Sequence, residues 1–137
     1  MSATEHALGA AHAKLMGVEF DNWDREREEI TLRFHAPDSF ITPRGSVQGG
    51  LVAGFLDEVM GWAHVWATDQ AEAPLNLEIS MSLLKPVPAG PLVGKGRVVR
   101  RGRKVIFLES ELFDAAGTLL ARATSTAIPT PRPTGGA

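Results

Sequence analysis

Apolar residues recur at two periods along this chain, one near 3.6 and one at 2, and the switches between them outline the elements. Ser2 and Glu5 fit a capping box, after which Leu8, Ala11 and Leu15 recur at helical spacing up to Gly17. This predicts an N-terminal helix over about residues 3 to 16. Val18 to Trp23 and Glu29 to Phe34 alternate apolar and polar around a charged turn, as in an antiparallel hairpin. Prolines and glycines make residues 35 to 46 a loop. The run from Gln48 to Ala63 is apolar almost throughout and free of proline, and predicts a long helix too greasy for a surface.

Period 2 then returns. From Leu75 to Leu84, Leu75, Leu77, Ile79, Met81 and Leu83 are set on one face, with Asn76, Glu78, Ser80 and Ser82 on the other. Strands are also predicted over residues 92 to 100, 104 to 113 and 118 to 128, separated by Lys85–Pro91, the turn Arg101-Gly102-Arg103 and the turn Asp114–Gly117. The expected class is α+β: a six-stranded antiparallel sheet around one central helix, in a single domain over residues 1–128. Residues 129–137, rich in Pro, Thr and Gly, are expected to be a disordered tail.

Composition mainly removes possibilities. The 137 residues suit one domain, with an ordinary 44% hydrophobic content and a net charge of -2 that gives nucleic acid or an anionic membrane no electrostatic hold. There is no cysteine, so disulfides and thiolate metal sites are excluded. His6, His12, His35 and His64 lack metal-ligand spacing, and no metal or redox cofactor is expected. Neither a signal peptide nor a membrane span is evident, which leaves the cytoplasm as the default location. Gly90 to Gly96 misses the phosphate-loop spacing, and no G-x-S-x-G elbow occurs.

The central helix carries candidate chemistry. A core helix has no structural need for Asp57-Glu58, since burying a charge costs several kcal/mol unless it is paired. On a helical wheel Asp57 shares a face with Gly50, Gly54 and Gly61, a small-residue stripe that leaves space beside the acid, whereas Glu58 lies about 100° away. A helix N-terminus offers free N–H groups, and glycines there let a carbonyl approach; they also simply permit tight packing at a turn.

The order of elements and these motifs resemble the hotdog fold, and more narrowly the acyl-CoA thioesterases of the phenylacetate-degradation group, related to 4-hydroxybenzoyl-CoA thioesterases. The family pattern N-x-x-G-x-x-H-G-G, with an acid seven residues on, is matched in register by Thr42-Pro43-Arg44-Gly45-Ser46-Val47-Gln48-Gly49-Gly50 and Asp57. The family's Thr/Ser ten residues before a proline is Asn76 here, ahead of Pro86. Arg101-Gly102-Arg103, Asp114–Gly117 and Ala121–Thr124 follow the later pattern, and the likeness spans about residues 15 to 128. Three positions depart: Thr42 stands for Asn, Gln48 for His, and Asn76 for Thr/Ser, all still polar.

The resemblance implies hydrolysis of an acyl-CoA of aryl, short-chain or medium-chain type. Asp57 would be general base or nucleophile, Gly49 and Gly50 an oxyanion hole aided by Gln48, and Asn76 either the positioner of water or a strand-end cap. Thr42, Arg44 and Gly54 would line the pocket. Arg101, Arg103 and Lys104 are candidates for the coenzyme A phosphates. Gly50 and Asp57 lie about 10 Å apart along one helix, so a homodimer with shared sites is expected, and a dimer of dimers beyond it. Two other outcomes stay open: a non-catalytic acyl-CoA-binding hotdog protein, and a hotdog hydratase, which usually relies on a histidine.

Overall fold

The computed structural model describes residues 10–132. A short helix α1 (Ala11–Leu15) is followed by β1 (Glu19–Asp24), β2 (Glu29–Ala36) and a 3-10 turn at Asp38–Phe40. The central helix α2 (Gly49–Ala67) comes next, then β3 (Glu72–Leu83), β4 (Gly90–Arg101), β5 (Ile106–Asp114) and β6 (Leu119–Pro131). The six strands form one antiparallel sheet in the order β1-β2-β4-β5-β6-β3. It curls around α2, which packs on β4 and also reaches β3 at the sheet's end. This is the hotdog architecture.

Burial follows the alternation. Ile106, Leu108 and Leu112 of β5 face the helix, while Glu109 and Glu111 face outward. Phe55, Leu56, Val59 and Met60 of α2 are fully buried against them, at roughly 1.5–3 kcal/mol for each large side chain. Phe34 meets Phe55 edge-on at 5.0 Å. Gly96 sits where the helix comes nearest the sheet, and a Cβ there would run into the backbone carbonyl of Val59.

Two expectations need correction. The strand expected to stop at Ile128 continues: Pro129, Thr130 and Pro131 pair with Pro74, Ala73 and Glu72. The Thr130 hydroxyl donates to the Ala73 carbonyl at 2.8 Å. Of the segment expected to be a tail, only residues 133–137 lie outside the described residues. The N-terminal helix appears as Ala11–Leu15, and its expected start at residues 3 to 9 lies outside them too. Most consequential is a bulge between Asn76 and Glu78, where β3 slips by one residue against β6. Ile79, Met81 and Leu83 pair with Ser125, Ala123 and Ala121, on the inner side. Asn76 pairs with buried Ala127 on that same side, and Leu75 with half-exposed Ile128 on the other. The single apolar face expected from Leu75 to Leu83 is therefore split at Leu77.

β3 is also an edge strand. Leu75, Leu77 and Leu83 are each more than half exposed, and Ile79 is 37% exposed.

Candidate functional site

The first turn of α2 is built by Gln48. Its side-chain Oε1 accepts the Leu51 N–H at 2.9 Å, and its carbonyl accepts the Val52 N–H at 3.0 Å. The N–H groups of Gly49 and Gly50 precede the first intrahelical bond and remain available at the positive end of the helix dipole. A Cβ at Gly50 would sit 2.9 Å from Gln48 Oε1, so a larger residue there would push the capping side chain aside. Gln48 is thus an N-cap first, with only its Nε2 left to act as a donor.

Before the helix, Thr42 braces a turn. Its hydroxyl accepts the Arg44 N–H at 3.2 Å, and its carbonyl the Gly45 N–H at 2.8 Å. Arg44 itself is exposed.

Two turns along α2, the half-buried Asp57 accepts a 2.6 Å hydrogen bond from Asn76 Nδ2. The bulge at Leu77 makes this contact possible, because it turns Asn76 inward. Asn76 Oδ1 is buried with no partner among the described residues, a cost of about 1–3 kcal/mol that a bound donor would relieve. Asp57 and Asn76 line a cavity of about 280 Å³ with Glu58, Gly61, Trp62, Val65, Ala73, Pro74 and Arg132. Glu58 is held: the Trp62 indole donates to it at 2.9 Å, and His12 lies 3.3 Å from its other oxygen.

Other expected residues fall elsewhere. The room above Gly54 faces Met16, whose Cε is 3.9 Å from where a Cβ would stand, and that above Gly61 faces Pro74, with Cγ at 4.0 Å; of the two only Gly61 lines the cavity of Asp57. Arg101 is bound to Glu28 at 2.6 Å, and β4 lies three strands from β3, roughly 14 Å across the sheet. The hairpin carrying Arg101, Arg103 and Lys104 is therefore not brought to Asp57. His64 is buried completely, with Nε2 3.0 Å from Glu72 Oε1. Burial lowers its pKa, and Glu72 opposes that shift only in part.

A larger hollow of about 320 Å³ opens on the outer face of the sheet, around Arg97 and Arg122. Arg97 is already bound by Glu29 at 2.5 Å, Glu109 at 2.8 Å and Glu111 at 3.3 Å, so its charge is compensated, whereas the candidates Asp57 and Asn76 line the smaller cavity. Arg132 and Trp62 of that cavity were not singled out from the sequence. Arg132 sits in the proline-rich segment, and its place at the cavity depends on β6 running past Ile128. Among the described residues no cluster of His, Asp and Glu could hold a metal. No helix is long and apolar enough to cross a membrane.

A family profile described as "Thioesterase superfamily" matches residues 44–121, from the loop before α2 into β6. The chain belongs to the thioesterase superfamily. Among solved structures, this superfamily member is similar to a thioesterase-titled, phenylacetic acid degradation-related protein of Ralstonia eutropha JMP134. The identity is 30% over 93% of this chain and 99% of that one, with a TM-score of 0.83. A Streptococcus mutans UA159 protein solved with acetyl CoA bound shares the fold at a TM-score of 0.73. It is 19% identical, over 84% of this chain and 90% of that one. An esterase-named protein of Saccharolobus solfataricus is 28% identical over 80% of this chain and 76% of its own length.

Proposed function

We propose that this chain hydrolyses the thioester of an acyl-CoA, with Asp57 as general base or nucleophile and the Gly49 and Gly50 N–H groups as oxyanion hole. The observation that carries this reading is the Asp57–Asn76 pair, half-buried at the edge of a cavity. Asn76 leaves one carboxylate oxygen of Asp57 free to work on water. In the general-base form, Asp57 takes a proton from a water whose oxygen attacks the thioester carbonyl carbon. Negative charge then gathers on the carbonyl oxygen, facing the glycine N–H groups. Collapse of this intermediate breaks the C–S bond, and coenzyme A leaves as its thiolate. The acetyl CoA bound to the Streptococcus mutans relative supports the substrate class.

Seven residues separate Gly50 from Asp57, about 10 Å on one helix, whereas both groups must lie about 3 Å from one reacting centre. The site is accordingly shared by two protomers with antiparallel α2 helices, each N-terminus serving the partner's acid. The exposed apolar edge of β3, beside Asn76, is the surface that suits this pairing.

A hydrolysis screen over aryl- and alkyl-CoAs, run with Asp57→Asn, tests the assignment. The variant is expected to lose at least about 100-fold in kcat. Turnover at the unaltered rate would remove Asp57 from the mechanism.

A further inference from the structure

The cavity that holds Asp57 and Asn76 also holds a positive charge. Among the described residues that line it, Arg132 is the only cation. The segment that carries this residue is fixed. Pro131 pairs with Glu72 on the last rung of β6 against β3, and the Arg132 N–H donates to the Ala71 carbonyl at 2.9 Å. The guanidinium stands 5.6 Å from the centre of the Trp62 ring. Its Nη1 donates to the Gln70 carbonyl at 3.3 Å, a neutral partner that leaves the charge unbalanced. The Nε and Nη2 donors have no partner among the described residues. Together they form the planar edge that grips a carboxylate through two parallel hydrogen bonds.

The acids of the cavity do not take up this charge. Glu58 has one oxygen on the Trp62 indole N–H at 2.9 Å and the other 3.3 Å from His12. Asp57 has one oxygen on Asn76 at 2.6 Å. Neither acid pairs with Arg132. Trp62, under the guanidinium, is five residues past Asp57, about 7.5 Å further along α2. Gly61, between them on the helix, lines the same cavity and puts no side chain into it. That rise is comparable with an extended six-carbon chain. Trp62 is only 8% exposed and carries Arg132 over one face, so it offers no open face on which an aryl group could stack.

We infer that the acyl group taken by this site ends in a carboxylate, as in the monothioester of a dicarboxylic acid, and that Arg132 is the specificity-determining residue that receives it. This rests on the hydrolase reading above and narrows its acyl group to one with a charged far end. The thioester carbon lies beside Asp57, the methylenes pass Gly61 and Pro74, and the carboxylate meets the Nε–Nη2 edge of Arg132. All of these residues belong to one chain, so the acyl subsite does not depend on how two chains pair. The arrangement also keeps like charges apart, because the substrate's carboxylate is held a turn and a half of helix away from Asp57. A chain ending in a methyl group would leave the guanidinium unpaired while displacing its water, which costs binding. Arg132 touches no reacting atom and acts by selecting and placing the substrate.

Two thioesters of equal chain length decide it on the full chain: adipyl-CoA, which ends in a carboxylate, and hexanoyl-CoA, which ends in a methyl group. The unaltered protein is expected to favour adipyl-CoA at least about tenfold in kcat/KM. Arg132→Gln should lower the adipyl-to-hexanoyl ratio about tenfold to a hundredfold, mainly through KM, as loss of a charged hydrogen-bonded pair does. Arg132→Lys should recover part of the ratio, since it keeps the charge and loses the fork. Any contact to coenzyme A itself acts on both thioesters alike and cancels in the ratio. Equal losses on the two thioesters in Arg132→Gln, or no preference for adipyl-CoA in the unaltered protein, would overturn the assignment. If the unaltered protein cleaves neither thioester, the hydrolase reading fails. Calorimetric binding of the same two compounds, with and without Arg132→Gln, then decides the carboxylate subsite by the same ratio.

Discussion

Asn76 holds Asp57 through one short hydrogen bond while keeping its own Oδ1 buried and unpaired among the described residues. An apolar side chain of similar size would free the carboxylate to turn toward Glu58 or solvent. Asn76→Leu is expected to lower kcat about 10- to 100-fold in a thioester assay while melting within a few degrees of the parent. A fall in kcat and stability together would instead make Asn76 a packing residue. Gly96 carries a different burden, since the Val59 carbonyl occupies the place of any Cβ. Gly96→Ala should destabilise the fold by about 2–4 kcal/mol, read as a lower urea midpoint, because backbone must move. At this scale the sequence was informative where residue type alone constrains chemistry. A carboxylate in an apolar helix stands out, and Asp57 is half-buried beside a polar partner. Arg132 did not stand out, because Pro129, Thr130 and Pro131 have the composition of a tail. Those residues extend β6 along the edge strand β3, where Pro74 faces Pro129 on one rung and Pro131 faces Glu72 on another, at the end of an outer pair that tolerates missing N–H donors.

Among the elements, α2 was readable from its length and greasiness, and it runs four residues further than the stretch that announced it, to Ala67. Within those last turns lies His64, buried and tied to Glu72. Burial holds its pKa below the ordinary 6.5, so the unfolded chain takes up a proton more readily than the folded one. Stability is therefore highest above that value and is lost as pH falls below it. Urea midpoints measured between pH 7.5 and pH 5 should decline, and His64→Leu should flatten the decline. An unchanged slope in that variant would assign the acid sensitivity to other groups. β3 was placed well in the sequence but given the wrong faces. Strict alternation predicts orientation only while the ladder stays in register, and a bulge leaves no mark in composition when the extra residue, Leu77, is as apolar as its neighbours.

For the whole molecule, the six antiparallel strands and the wrapped helix followed from the alternation and the family likeness together, whereas the sheet order, with β3 beside β6 and β4 beside β2, did not. The proposed shared site calls for a surface on which a second chain can pair. β3 leaves its edge unpaired and shows Leu75, Leu77 and Ile79 to solvent, an arrangement that proteins ordinarily blunt or cover. If the site is shared as proposed, the unaltered chain should sediment as a dimer, and Leu77→Arg should give a monomer that is still folded by circular dichroism but no longer hydrolyses thioesters. A fully active monomer would defeat the shared site.

The extra residue at Leu77 can also be seen as a change of phase. Up to Asn76 the strand counts inward and outward on one parity, and from Glu78 onward on the other. Substitutions along β3 alter what a position presents, whereas gaining or losing one residue in the regular part of the ladder alters which side every residue before it presents. Deleting Leu77 would remove the surplus residue itself, leaving Asn76 opposite Ala127 and Glu78 opposite Thr126 in an unbroken ladder, with Asn76 still turned toward the helix. The catalytic candidate and the sheet's edge thus share one surplus residue, which the bulge takes up at Leu77 so that Asn76 keeps its inward rung opposite Ala127.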